Sequence, residues 1–299
     1  MKNILIAGGS GLIGTKLSRL LREEGYKVSH LSRHADANAE FPTFAWQPDQ
    51  GIYDKKAFEN VDAIINLAGA GIVDKRWTDE RKRIIIESRT SSNALIANFL
   101  QKEKHSVKAY ISASAIGFYA DRGNKLMTEQ DMAGKGFLAE STVAWEKSID
   151  EVRKTGVRTV ALRIGIVLST EGGALREMLK PFLARTAVYF GDGKQYLSWI
   201  HIDDMCRMFQ FALENDKMNG IYNGVAPKPL TNYDFTKTMV EAKGGGYIML
   251  PAPSFTLHLA MGEMACTVLG STKVSSQKIE NQGFKFKYTD ALSALKDLV

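Results

Sequence analysis

The stretch 7-AGGSGLIG-14 places glycines at 8, 11 and 14. Such spacing suits a dinucleotide pyrophosphate: one glycine makes a tight turn, one lets backbone approach the phosphates, and one packs a helix closely on a strand. Gly9, Ser10, Leu12 and Ile13 complete the loop, whose backbone N–H groups at a helix start would face the anion. Ser32 and Arg33 stand about twenty residues on, where an Asp or Glu would accept the ribose hydroxyl of NAD. A carboxylate there repels a 2′-phosphate, whereas a guanidinium grips it, so the expected cofactor is NADP(H). In 66-NLAG-69, the small Ala68 and Gly69 follow Leu67 and let backbone approach a ribose or ring. Ser112 and Ile164, near two further strand ends, join the candidate cofactor contacts.

Those positions need a parallel sheet to hold them. Short apolar runs at 4–7, 27–31, 43–46, 63–67, 108–112 and 158–162 read as strands, separated by stretches of helical period. Leu17, Leu20 and Leu21 give the first helix its apolar face. After Arg163, glycines and prolines break the rhythm, and 201-HIDDMCRMFQFAL-213 reads as a helix returning to the main sheet, with Asp203 as its cap. The expected fold class is α/β, a Rossmann-type doubly wound parallel sheet with a small C-terminal α+β lobe. Residues 1–165 and 198–225 would form the cofactor domain, and 166–197 with 226–299 the substrate lobe.

At 299 residues the chain can bury a large core. The charge of +6 is spread among acidic residues, as in 80-ERKR-83, so nucleic acid is not an expected partner. Cys206 and Cys266 lie far apart with no CxxC or Cys/His cluster, which argues against a metal site and for a reducing, cytoplasmic compartment. No segment reads as a signal peptide or membrane span, and the expected state is monomer or homodimer with a small-molecule substrate.

The glycine spacing, 66-NLAG-69 and 112-SAS-114 together resemble the extended short-chain dehydrogenase/reductase superfamily. The segments 75-KRWTDERK-82 with Ser88-Arg89, 112-SASAIGFYADRG-123, 137-FLAESTVAWE-146, 162-LRIGIVLSTEGGAL-175, 198-SWIHIDD-204 and 283-GFKFKY-288 resemble an atypical group within it, the NAD-dependent epimerase/dehydratase family proteins. That resemblance implies NADP(H) bound through the glycine loop, Ser32, Arg33, Ala68, Gly69 and Arg89, and a C-terminal segment of unassigned role.

Typical superfamily members use Ser, Tyr and Lys: the phenol passes the proton, the ammonium lowers its pKa, and the serine orients the substrate oxygen. Ser114 matches the serine. At the tyrosine and lysine positions this chain offers Leu138 and Thr142, or Phe137 and Ser141 one residue earlier, and Lys147 lies about one and a half turns beyond. Tyr119 is the candidate replacement donor, with Glu129 and Glu140 behind it; the alternatives are that Tyr119 walls the pocket and Ser114 caps a strand end. His201 reads as a structural histidine. A sugar epimerase's diphosphate partners are missing, because Ile166 and Leu197 occupy their positions. The expected function is an NADP(H)-dependent oxidoreductase or isomerase acting on a small, largely uncharged substrate. A non-catalytic NADPH-responsive sensor is the rival, and a nucleotide-sugar epimerase the third reading.

Overall fold

Four consecutive buried residues, Ile4 to Ala7, cannot belong to a strand with a wet face. A parallel strand covered on both sides suits them. They lie in β1 (Asn3–Ala7) of the computed structural model, which describes residues 1–36 and 38–299. With β2 (Lys27–Ser32), β3 (Thr43–Gln47), β4 (Ile52–Tyr53), β5 (Ala63–Asn66), β6 (Ala109–Ala115), β7 (Arg158–Ile164) and β8 (Gly220–Gly224), β1 forms an eight-stranded sheet ordered 8-7-6-5-1-2-3-4. All neighbours run parallel except β3 and β4. The order reverses at β1, which pairs β2 on one side and β5 on the other, and that reversal opens a crevice at the carboxyl ends of the strands. The fold is Rossmann-like α/β.

All six strands expected from the sequence are present, and β6 and β7 run on to Ala115 and Ile164. The extension carries Ser114 into the sheet. The sequence reading missed the two-residue β4 and also β8, whose composition, GIYNG, conceals a strand. Helices α1 (Leu12–Glu23) and α4 (Ile202–Glu214) pack together, as do α2 (Asp79–Lys102) and α3 (Phe137–Arg153). No helix of the described residues is long and apolar enough to cross a membrane.

A second core gathers Leu168, Phe182, Leu197, Trp199, Phe235 and Leu295. The border drawn from the sequence shifts here: Ile279 and Phe284, from the segment assigned to the small lobe, pack into the large core. The cap of α4 is also corrected. His201, not Asp203, is the N-cap, its Nδ1 accepting from the Asp203 amide at 3.1 Å. Asp203 is held away by Lys16 of α1 at 2.6 Å and Lys287 at 3.3 Å.

Burial lowers the pKa of both His30 and His201, against the pull of nearby carboxylates. The unfolded chain therefore takes up protons below about pH 6.5 while the folded one resists them, so this stability is complete above that pH and lost as pH falls. His201→Asn keeps a capping acceptor and removes one titrating group. Urea unfolding at about pH 7.5 and 5.5 should show a pH dependence weakened by up to ~1.4 kcal/mol per pH unit; an unchanged dependence would assign the protons elsewhere.

Candidate functional site

Gly8, at φ 77°, turns the chain at the end of β1, and a Cβ there would lie 2.8 Å from the Leu67 backbone. Gly14 is the packing glycine: its Cβ would lie 2.3 Å from the Gly8 carbonyl. The loop so compressed ends in α1, whose N-cap Gly11 offers no capping side chain and whose first turn holds no acidic residue. The first N–H groups of α1 thus lack intrahelical partners at the electropositive end of its dipole. Ser10 and Gly11 are exposed and Gly8, Leu12 and Ile13 partly open, so the loop fits a pyrophosphate. Gly9 instead backs onto His30, where a Cβ would lie 2.4 Å from the ring. At the end of β2, Ser32 is partly open, and Arg33 is exposed without an ion pair among the described residues.

Across the crevice, Asn66 shapes the turn after β5. Its Oδ1 accepts from Ala68 N at 3.0 Å, and its Nδ2 donates to Ser92, Asn93 and Tyr110 at 2.9–3.0 Å. Leu67, Ala68 and Gly69 remain open to the crevice, as does Ile164 on β7. Arg89 closes its floor: Nη1 donates to the carbonyls of Ala70 and Ile85, and the guanidinium sits 4.8 Å from the Trp145 ring of α3. A Cβ on Gly69 would be 3.0 Å from Arg89 Cζ. Burial, then the charge of Arg81, pulls the Arg89 pKa down to about 10. Among the described residues no carboxylate pairs with Arg89.

The structure decides between the two registers of α3. Leu138 and Thr142 face the turn after β6, since a Cβ on Gly117 would lie 3.5 Å from Leu138 and 3.6 Å from Thr142. Phe137 turns aside to Trp77, and Lys147 points to solvent. The positions of a phenol and an ammonium are therefore filled by an isobutyl group and by a hydroxyl bonded to its own helix.

Ser114 and Tyr119 are brought together, but not at an open surface. Ser114 Oγ donates to Glu146 Oε1 at 2.7 Å; Arg163 grips both oxygens of Glu146 at 2.7 Å and donates to Tyr119 Oη at 2.9 Å; Tyr119 donates to Asn223 Oδ1 at 2.7 Å. Tyr119 is fully buried, and burial, only partly offset by Arg163, pushes its pKa up to about 12. The reading of Tyr119 as a proton donor is corrected on this geometry, because its hydroxyl is spent inside the protein. Ser112 is fully buried, and its hydroxyl donates to the Ala113 carbonyl. Of the carboxylates considered, Glu129 joins the network by accepting from Asn223 N at 2.7 Å, and Glu140 is exposed. The sequence reading missed Glu146 and Arg163 as its hub; an arginine between Leu162 and Ile164 in the apolar strand β7, which calls for a buried counter-charge, was the available signal.

His201, Asp203 and Asp297 are spaced closely enough to suggest a metal site. The ring's tautomer opposes it: Nδ1 accepts from a backbone N–H, so the neutral ring carries its proton on Nε2, toward Asp297 at 3.3 Å. That nitrogen has no lone pair to give.

Residues 4–223 match the NAD dependent epimerase/dehydratase family, and residues 252–298 match a domain of unknown function, DUF1731. The chain is 34% identical to the epimerase family protein YfhF of Bacillus subtilis over 99% of this chain and 98% of that one. Its fold is similar to that of the human epimerase family protein SDR39U1, solved with NADPH, at TM-score 0.87, 28% identity and coverage of 99% and 98%. A nucleoside-diphosphate sugar epimerase from Corynebacterium glutamicum is similar at TM-score 0.80 and 29% identity, over 98% of this chain and 57% of that one.

Truncating Glu146 and its hydroxyl donor Ser114 should have unequal effects. Glu146→Ala leaves a buried guanidinium without its counter-charge and should lower unfolding stability by about 3–5 kcal/mol, whereas Ser114→Ala should cost about 1 kcal/mol. Equal, small losses in urea titrations would show that the ion pair is not the hub.

Proposed function

Because this chain belongs to the NAD dependent epimerase/dehydratase family, we propose that it is an NADP(H)-dependent oxidoreductase or isomerase acting on a small substrate held between the large core and the C-terminal segment. The observation that carries this reading is the crevice itself: an uncapped helix start behind a glycine turn, with Arg33 free at the end of β2. A 2′-phosphate there would gain a charge-assisted partner that a ribose hydroxyl would not. The NADPH in the human SDR39U1 structure supports the same choice. Bound in the crevice, the dinucleotide would donate or accept a hydride at its nicotinamide ring.

The chain's own contribution differs from that of a tyrosine–lysine enzyme. Arg89, stacked on Trp145 one helical turn past Thr142, supplies the positive charge that a lysine at 142 would have given. Ser114 and Tyr119 act by position: through Glu146 and Arg163 they fix the turn 116–119 on which Leu138 and Thr142 rest. That burial of both hydroxyls also favours a second reading, an NADPH-responsive binding protein without turnover. Turnover of small enones and carbonyls at saturating NADPH separates the two. A nucleotide-sugar reading has less support, since Leu197 is buried in the small core and presents no cation to a diphosphate.

Calorimetry should give NADPH at least a ~10-fold tighter affinity than NADH, about 1.4 kcal/mol. Arg33→Ala should abolish most of the difference while leaving NADH binding unchanged. Equal affinities in the unmodified protein would reject the NADP(H) assignment.

A further inference from the structure

An apolar cluster beside the crevice is not used by anything described above. Trp77 and Met264 are buried there, and Ile72, Phe137, Leu138 and Met261 pack against them while staying partly open. Phe137 meets Trp77 edge to face at 4.7 Å between ring centres. Three parts of the chain converge: the loop after β5, the first turn of α3, and the segment around 261–264, which lies within the match of unknown function. That segment is clasped to α2 by the ion pair of Glu263 with Lys82. Gly262, at φ 60°, lets it pass close to Arg76, where a Cβ would lie 3.1 Å from the guanidinium. Leu138 belongs both to this cluster and to the position of the missing phenol, so the cluster walls the reacting end of the crevice.

One edge of the cluster is cationic. Arg81 donates through Nη2 to the carbonyl of Gly71, next to Ile72, yet its Nε is buried with no hydrogen-bond partner. Its ion-pair partner, Asp74, is 3.6 Å away and largely in solvent. Arg81, Ile85 and Arg89 recur at i, i+4 and i+8 on α2 and share one face, and Arg89 donates to the adjacent carbonyl, that of Ala70. Two guanidinium groups are thus held side by side with carbonyl oxygens as their main partners. A desolvated N–H without an acceptor, beside a second cation, is the arrangement that an incoming anion would complete.

We propose that this cluster is the substrate subsite, and that it takes a molecule with an apolar, ring-sized body and one carboxylate, the ring lying among Trp77, Phe137, Leu138, Met261 and Met264 and the carboxylate accepting from Arg81. The proposal rests on the reading of the neighbouring crevice as the NADP(H) site, and it replaces the expectation of a largely uncharged substrate. The thioethers of Met261 and Met264 give the wall an adaptable shape. The role it assigns to the segment of unknown function is to close the apolar side of this subsite.

The test uses the full chain saturated with NADP⁺ and titrated calorimetrically with 2-naphthoate and with its uncharged relative 2-acetonaphthone. Naphthoate should bind at least ~10-fold more tightly than the ketone. Arg81→Met should reduce naphthoate to the level of the ketone without changing NADP⁺ affinity. Met261→Glu, at a partly open position, should weaken both probes at least ~10-fold, and Phe137→Ala serves as a second apolar variant should the first fail to fold. Equal affinities for the two probes, or full naphthoate binding in Arg81→Met, would overturn the anionic part; undiminished binding in the apolar variants would overturn the site. A matching loss of NADP⁺ affinity in Arg81→Met would give Arg81 to a cofactor phosphate and also reject the proposal. Should NADP⁺ fail to bind the unmodified protein, the crevice reading fails on its own, and naphthoate titrations without cofactor still judge the subsite.

Discussion

The bidentate pair of Glu146 and Arg163 holds the site together. Both groups are buried, and desolvating two charges is tolerable only where geometry and further hydrogen bonds answer every oxygen and N–H. Here Ser114 donates to the same Glu146 oxygen that Arg163 Nε contacts, Tyr119 accepts from Arg163 Nη1, and the Phe118 ring lies 3.4 Å under the guanidinium. The contacts join α3, β6 and β7, and through Asn223 they reach β8, Glu129 and the Ser275 carbonyl. Helix α3 cannot rotate without breaking them. The same bonds that seat Leu138 and Thr142 against the turn after β6 keep Ser114 and Tyr119 buried.

What could be read from the sequence was what depends on short range. Six of the eight sheet strands follow from spacing and period within a few tens of residues, and the sheet contains all six. What depends on distant partners was hidden. Tyr119 sits on a loop that promises exposure, and it is Arg163 and Asn223, the latter 104 residues away, that enclose its hydroxyl. Asp203 is the better capping residue by type, but Lys16 and Lys287 draw its carboxylate elsewhere and leave the cap to His201. Strand β8 owes its place to pairing with β7, not to a composition that contains two glycines and an asparagine. Arg89 stood out only through the family resemblance, although its spacing from Arg81 and Ile85 was a helical pattern in plain view.

The crevice presents positive charge of two different kinds. At β1 the donors are backbone N–H groups, fixed in place by Gly8 and Gly14 and unable to change their charge. At β2 and on α2 they are the guanidinium groups of Arg33 and Arg89, one exposed and the other stacked on Trp145. Replacing a glycine of the first kind disturbs the packing of α1, whereas replacing an arginine of the second kind leaves the fold a way to adjust. The overall charge of +6 says nothing of this division.

The interleaving of the two cores has a consequence for how the chain is made. Strand β7 acquires its outer neighbour only with residues 220–224, and the large core is completed by Ile279 and Phe284. On a ribosome, which releases the N-terminal part first, the glycine loop and six strands emerge early, but an unpaired strand edge and an uncovered apolar face persist through most of elongation. Such a nascent chain is a client for chaperones until its last segment docks. The carboxyl-terminal residues thus act as the closing step of folding, and a message truncated before residue 279 would yield a product fit for proteolysis rather than a smaller working protein.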